Sequence, residues 1–322
     1  MQAVQAGLRY RWNKTSAETV TADGLQWHGL ARGRLLFDRA GTLSLNMTAS
    51  AGSVFVASWN DTGIGTGDFS GRFLLRHLFL AAQPVAGLEL QAGGIAPHRG
   101  EVSENLSYDT DGYLMGQRAT LRPASGRISQ VSATAGHIGD PTQPNVFRRF
   151  DDFTDYNYGQ ILVGLRLSDR VVGSVEYTHE DGYDILRQAL VVRTAPSVRV
   201  LSGVRLEAYQ RVSPEERAAA DIVTRSGPGQ GFNASADLRF GKLGVTAGVI
   251  SVDSAFRPLN GDRYGIGKRW YTIGTFPVSS DVAVTWYHTR AFDNAFPVSV
   301  HHRFDLIVVV NPTARLKRAG VF

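Results

Sequence analysis

The chain has no cysteine in its 322 residues, which removes disulfides, thiolate metal centres and cysteine nucleophiles from consideration. It is also poor in lysine: of 34 basic residues only Lys14, Lys242, Lys268 and Lys317 are lysines, and the others are arginines. No long apolar run exists. The longest aliphatic stretch is Leu306 to Val310, far short of the roughly 18 apolar residues that a membrane helix needs. Met1 to Val4 shows neither a charged n-region nor an apolar h-region. An exported chain would therefore begin here after its cleavage site, or inside the native chain. The net charge of +5 suits nucleic acid in sign only. The arginines are dispersed singly and no basic run interleaves with aromatics, so no nucleic-acid partner is expected.

What is present is alternation of period 2. Leu8, Tyr10 and Trp12 alternate with Arg9 and Arg11; Leu43, Leu45, Met47 and Ala49 with Ser44, Asn46, Thr48 and Ser50; Phe232, Ala234, Ala236, Leu238 and Phe240 with Asn233, Ser235, Asp237 and Arg239. Successive strand side chains point to opposite faces, so each such segment has one apolar and one polar face. Sixteen segments read this way, near 5–14, 27–38, 42–59, 72–84, 87–96, 112–123, 127–138, 158–168, 171–180, 185–195, 198–211, 230–241, 243–252, 263–276, 281–290 and 300–310. Short turns such as 38–41, 123–126, 169–170 and 241–242 alternate with longer polar links near 15–26, 60–71, 97–111, 139–157, 212–229 and 253–262; the links near 181–184 and 291–299 are shorter. A membrane barrel needs this order, with tight periplasmic turns and longer extracellular loops.

A soluble propeller would show repeats of roughly 40 residues, and none is found. A soluble sandwich leaves unexplained the aromatics near the ends of apolar faces: Tyr10, Trp12, Trp27, Phe37, Trp59, Phe73, Phe79, Tyr113, Tyr177, Tyr264, Trp270, Phe276 and Trp286. In a barrel these form two interfacial girdles. The expectation is an all-β chain, 1–322 forming one antiparallel transmembrane barrel of sixteen strands, with fourteen or eighteen as near alternatives and 311–322 as a periplasmic tail. The one helical signature, Ser213 to Ala220, reads as a short helix within a loop.

The polar faces carry the functional expectation. They would turn Arg9, Arg11, Arg32, Arg34, Arg76, Arg118, Arg122, Arg166, Arg187, Arg193, Arg199, Arg205, Arg239, Arg263, Arg269 and Arg303 inward, with fewer acids: Glu89, Glu176, Glu207, Asp237 and Asp305. An arginine facing lipid at midplane costs about 2–4 kcal/mol, so this many must line something wet or be paired. Sixteen strands leave a lumen too wide for side chains alone to fill, and an arginine-lined channel favours anions. Arginine–carboxylate pairing into a stiffened wall is the other reading, and both can hold at once. His77, Gln188 and Lys268 break the phase and fall on nominally lipid-facing positions, where bulges or register slips would account for them. The segment 147–158 carries Arg148, Arg149, Asp151, Asp152 and Asp155 among aromatics; it is read as a constriction folded into the lumen, as a surface that stacks on sugar rings, or as an ordered surface loop.

Catalytic and metal motifs are weak. Asp61-Thr62-Gly63 has no second copy, and Gly63 to Gly67 precedes no helix. His179-Glu180-Asp181 and His301-His302 lack metal-ligand spacing, and the carboxylates of Tyr108 to Tyr113 lack the downstream glutamate of a calcium loop. Ser132, His137 and Asp140 form a triplet of a kind that chance also supplies. No catalytic residue, metal or cofactor is expected.

In this pattern of strands and links the chain resembles bacterial outer-membrane porins and, more loosely, the arginine-rich alginate-export-type barrels. Tyr108 to Arg118 reads like one of their strand entries, and Phe322 matches their terminal aromatic, although Asn311-Pro312 interrupts the last strand. The resemblance implies an outer-membrane location, insertion by the outer-membrane assembly machinery, contact with membrane lipid, and passive passage of small polar or anionic solutes; a homo-oligomer is compatible with it. The alternatives are a non-conducting barrel acting as receptor or anchor and, behind that, an outer-membrane hydrolase.

Overall fold

The computed structural model describes residues 2–15, 17–52, 73–103, 114–138, 145–180, 183–195, 197–212, 229–252, 267–292 and 300–320. Sixteen antiparallel strands form one closed barrel. They are β1 (Ala3–Thr15), β2 (Val20–Leu36), β3 (Leu43–Gly52), β4 (Leu74–Val85), β5 (Leu88–Ile95), β6 (Leu114–Leu121), β7 (Ile128–His137), β8 (Tyr158–Arg166), β9 (Val171–Glu180), β10 (Tyr183–Arg193), β11 (Leu201–Arg211), β12 (Gln230–Phe240), β13 (Leu243–Val252), β14 (Gly267–Pro277), β15 (Val282–Ala291) and β16 (Val300–Val310). Each strand pairs with its sequence neighbours. β1 closes the ring by pairing with β2 through Leu8↔Trp27 and with β16 through Leu8↔Val308. Closure pairs every edge, which is what lets backbone cross hydrocarbon without exposed N–H and C=O groups.

Polarity is inside out relative to a water-soluble core. The largest fully buried side chains are Arg9, Arg11, Arg76, Arg187, Arg269, Tyr271 and Ile95, while Leu25 is 76% exposed, Phe73 73%, and Leu8 and Ile161 57%. The register shows why: Leu8, Trp27 and Val308 share one side of the wall, and the buried Arg9, Arg11 and Asp305 the other.

The strand boundaries follow the sequence expectation closely, with three differences. First, β2 begins at Val20, so the stretch 15–26 is no long loop; a four-residue link at 16–19 joins β1 to β2. Ala22, Asp23 and Gly24 blur the alternation there, but β1 supplies a partner along the whole length, and Tyr10 donates to Asp23 Oδ1 at 2.8 Å. Second, β4 carries a bulge at Arg76, since Thr48 pairs with His77 while Ala49 pairs with Leu75. The extra residue flips the phase of the rest of the strand. His77 is thereby buried inside, and Phe79 packs inward against Ile95, Leu114 and Tyr158 instead of joining an outer girdle. Gln188 and Lys268 stay on the outer side, exposed. Third, the segment after Pro312 turns into α1 (Thr313–Arg318). Its Thr313 hydroxyl accepts from Val4 N (2.9 Å) and donates to Val4 O (3.1 Å), and Arg315 reaches Asp281 at 3.1 Å, which ties the segment to the rim.

Turns at one end are short. In the 37–42 turn Asp38 accepts from Thr42 N and Leu43 N, both at 2.8 Å, and from the Thr42 hydroxyl at 2.6 Å; these bonds hold its carboxyl below the usual carboxylate range. The opposite end carries the longer links, most of whose residues, with Ser213 to Ala220, Trp59, Asp61 to Gly67, Tyr108 to Tyr113, Asp140, Arg263, Tyr264 and Phe322, lie outside the described residues.

Candidate functional site

The inner side of the wall divides along the barrel axis. Arg9, Arg11, Arg76, Arg118, Arg187, Arg269 and Arg303 are buried, and they sit in the middle or in the long-link half of their strands. Arg32, Arg34, Arg122, Arg166, Arg193 and Arg239 fall on the same side of the pleat but at the short-turn ends, and all are exposed; Arg199 is also exposed but lies in the bend before β11, beyond a register shift between Leu201 and Gly203, so the alternation does not carry it to the inner side. Arg205 is intermediate. Of the acids, Glu176, Glu207 and Asp305 are buried, whereas Glu89 and Asp237, nearer the short turns, are half-buried.

Burial of a charge is tolerated only with partners, and the buried groups have them. Asp305 is gripped by Arg11 (Nε–Oδ1 3.0 Å, Nη2–Oδ2 2.9 Å) and Arg303 (Nε–Oδ2 3.1 Å), with Arg9 at 3.8 Å. Arg303 also lies over the Tyr287 ring at 4.5 Å. Arg187 donates to Glu176 at 3.1 Å and to Thr178 at 3.0 Å, and Arg118 to Thr134 at 3.0 Å. Arg9 donates to Gln26 at 2.7 Å, and Arg269 to the Val300 carbonyl. Nearer the short turns Arg122 meets Glu89 at 3.1 Å and Thr246 donates to Asp237 at 2.6 Å.

The link that leaves β5 enters the barrel. Its residues 96–103 meet inner polar side chains of six strands, β6, β7, β8, β9, β11 and β12. The Ala96 carbonyl accepts from Arg118 (2.6 Å) and the His98 carbonyl from Gln160 (2.8 Å), while Glu101 N donates to Ser174 Oγ (2.8 Å). The His98 ring lies 3.2 Å from Gln130 Nε2. Ser103 donates to Glu207 from both N and Oγ at 2.8 Å, and Glu207 further accepts from Asn233 (3.1 Å) and Tyr209. Between these polar anchors Val102 inserts among Ile185, Tyr209, Ile250, Tyr271 and Tyr287. Burial, together with the Arg118 and Arg122 guanidiniums, lowers the His98 pKa to about 4, so its imidazole is neutral at pH 7.

Sequence reasoning missed this segment. Its nearest signal is the small, turn-rich run Ala96-Pro97-His98-Arg99-Gly100, which reads as an ordinary loop; the space it needs is visible only in three dimensions, where Gly100 fits against Ser174. The constriction reading of 147–158 places the narrowing elsewhere. The 3-10 helix Val146–Thr154 packs through Val146 and Phe153 on Leu75, Leu78 and Met115, which face outward, and a Cβ at Gly94 would collide with Val146. Arg149 is buried there, donating to the His137 carbonyl at 3.1 Å with Asp152 at 3.6 Å; Arg148, Asp151 and Asp155 are exposed. That segment is an ordered surface loop and does not fold into the lumen. Among the described residues no group of three or more His, Asp or Glu side chains is placed to hold a metal ion.

No protein-family model matches the chain, and no curated protein matches it in sequence. Solved structures do match in fold. Three structures of variants of the Rhodopseudomonas blastica porin superpose with TM-scores of 0.57, 0.59 and 0.59, each over 97% of this chain and 100% of theirs, at 11% identity. At that identity the likeness is one of architecture: the chain has the fold of a sixteen-stranded bacterial porin barrel.

Proposed function

We propose that the protein is an outer-membrane channel for passive diffusion of small hydrophilic solutes, with a preference for anions. The observation that carries this reading is the short-turn mouth, where six exposed arginines stand with two half-buried acids on the inner side of the wall. Fixed charge of one sign at a pore mouth raises the local concentration of counter-ions. The barrel lies with its short turns in the periplasm, so the arginine-rich vestibule opens inward to the cell envelope. The passage narrows where residues 96–103 bridge the wall, and solutes pass between that bridge and the buried arginines. The chain performs no catalysis in this reading; the assembly machinery inserts it, and lipid is its immediate environment.

Planar-bilayer recording of the purified chain tests it. Discrete open-channel steps in potassium chloride are the expected result, and silence in repeated insertions would overturn the channel. A second reading is favoured by one observation: in the long-link half the inner side chains are buried, Glu176, Thr178, Arg187, Asn233, Arg269 and Thr289 to 0% exposure. A barrel closed at that level would serve as an anchor or receptor, and the same recording separates the two.

A further inference from the structure

Every neighbouring pair of strands in the ring is consecutive in sequence except β1 and β16. A link holds each consecutive pair close even when its ladder opens. The β1–β16 seam joins segments some 300 positions apart, Val4 and Thr313 being separated by 309, and its ladder must hold without such a link. Ladders fray from their ends, and at the short-turn rim the two edges of this seam are unequal. The last rung between β1 and β16 is Ala6↔Val310, while Gln5, Val4 and Ala3 of β1 run on and pair with β2 alone, at Leu30, Ala31 and Arg32. The N–H and C=O of one strand residue point the same way, so Val4 faces the β16 side with both groups and no strand opposite. Thr313 fills that place. The Val4 N–H donates to Thr313 Oγ1 at 2.9 Å, and the Val4 carbonyl lies 3.1 Å from the same oxygen, whose single hydrogen it shares with Asn311 Oδ1 at 2.6 Å. On the other side Arg315 Nε reaches Asp281 Oδ2 at 3.1 Å, a carboxylate only 7% exposed in the turn between β14 and β15. The Asn311 N–H donates to the Asp281 carbonyl at 2.7 Å. Residues 311–315 therefore cross the end of β16 and fasten β1 to the β14–β15 turn.

We propose that this segment is a strap that holds the β1–β16 seam shut from the short-turn rim, and that without it the seam opens from that end. One side chain, Thr313, takes the place of a missing rung, and the ion pair at Asp281 fixes where that side chain stands. The rungs beyond it, Ala6↔Val310 and Gly7↔Val309, lead into the wall. A ladder opened there turns bare N–H and C=O groups toward hydrocarbon, which supplies no partner for them. The strap acts on this one seam and leaves the fifteen hairpin-joined pairs as they are.

The test compares the full chain in detergent with Thr313→Val, which keeps the volume of the side chain and removes its hydroxyl, and with a chain shortened to end at Pro312. Amide hydrogen exchange is followed strand by strand. In Thr313→Val the Val4 amide exchanges about fivefold faster, the effect of one hydrogen bond. In the shortened chain the amides of β1 and β16 nearest the short turns follow it, while those of β8 and β9, across the ring, keep their wild-type rates. Ala6→Cys/Val310→Cys, which sets a disulfide on a rung of the same ladder, returns the shortened chain to wild-type exchange. Lys317→Gln/Arg318→Gln, at the exposed end of α1, changes nothing. Where the shortened chain does not refold, Thr313→Val and Arg315→Gln decide the matter. Unchanged exchange at the β1 and β16 ends, acceleration spread evenly round the ring, or a formed disulfide that leaves the shortened chain as open as before would each overturn the proposal. Exchange is read without any current, so the strap stands or falls apart from conduction.

Discussion

At the scale of single residues, the inner wall is a problem of charge burial solved locally. Asp305 serves Arg11 and Arg303 directly and lies 3.8 Å from Arg9. Removing its charge leaves the buried guanidiniums without their counter-charge, and breaking a buried pair of this kind costs about 3–5 kcal/mol. Asp305→Asn is therefore expected to lower the temperature at which the barrel loses its compact mobility on gels, whereas Asp169→Asn in an exposed turn leaves it unchanged. His98 is held in its neutral form instead. Its folded pKa of about 4 lies below that of a free imidazole, so the unfolded chain takes up the proton first. The stability linked to neutral His98 is complete above about pH 6.5 and is lost as pH falls toward 4. Conductance is expected to change across that window in the wild type and to stay flatter in His98→Gln, as recordings at pH 7, 5.5 and 4 would reveal; identical titrations would contradict the role given to His98.

At the scale of elements, the decisive piece is the segment 96–103. Val102 is held by apolar packing and Ser103 by two hydrogen bonds to Glu207. Val102→Gly with Ser103→Ala should loosen the bridge and enlarge the unitary conductance, while an unchanged step would mean that the narrowing lies elsewhere. Strands were legible in the sequence because each turns an apolar face outward and a polar face inward, so alternation is strict wherever pairing is regular. It failed where a partner strand overrode weak alternation, as at Ala22 to Gly24, and where one extra residue inverted the phase, as at Arg76. The inward bridge was not legible, because nothing local distinguishes a loop that folds into a lumen from one that folds over a wall. The aromatic segment 147–158 shows the converse: Val146 and Phe153 find their apolar partners on the outer surface, at Leu75, Leu78 and Met115. Which arginines are buried and which exposed was likewise hidden, since it depends on height along the barrel and not on the period-2 pattern.

At the scale of the whole molecule, the closed sheet separates two environments, and charge is distributed unevenly along the axis between them. The long-link half holds Arg9, Arg11, Arg76, Arg187, Arg269 and Arg303 buried on the inner wall; the short-turn mouth leaves Arg32, Arg34, Arg122, Arg166, Arg193, Arg199 and Arg239 in contact with solvent. Their effect should be electrostatic and screened over roughly 10 Å at 0.1 M salt, so anion preference should fade as salt rises. Replacing Arg166, Arg193, Arg199 and Arg239 together by glutamine should remove much of that preference while the barrel still inserts, and selectivity equal to the wild type would assign the preference to the buried arginines instead. The most direct measurement is the reversal potential of the purified protein in a bilayer separating dilute from concentrated potassium chloride. The account predicts a potential displaced toward the chloride equilibrium value; displacement toward the potassium value would contradict it.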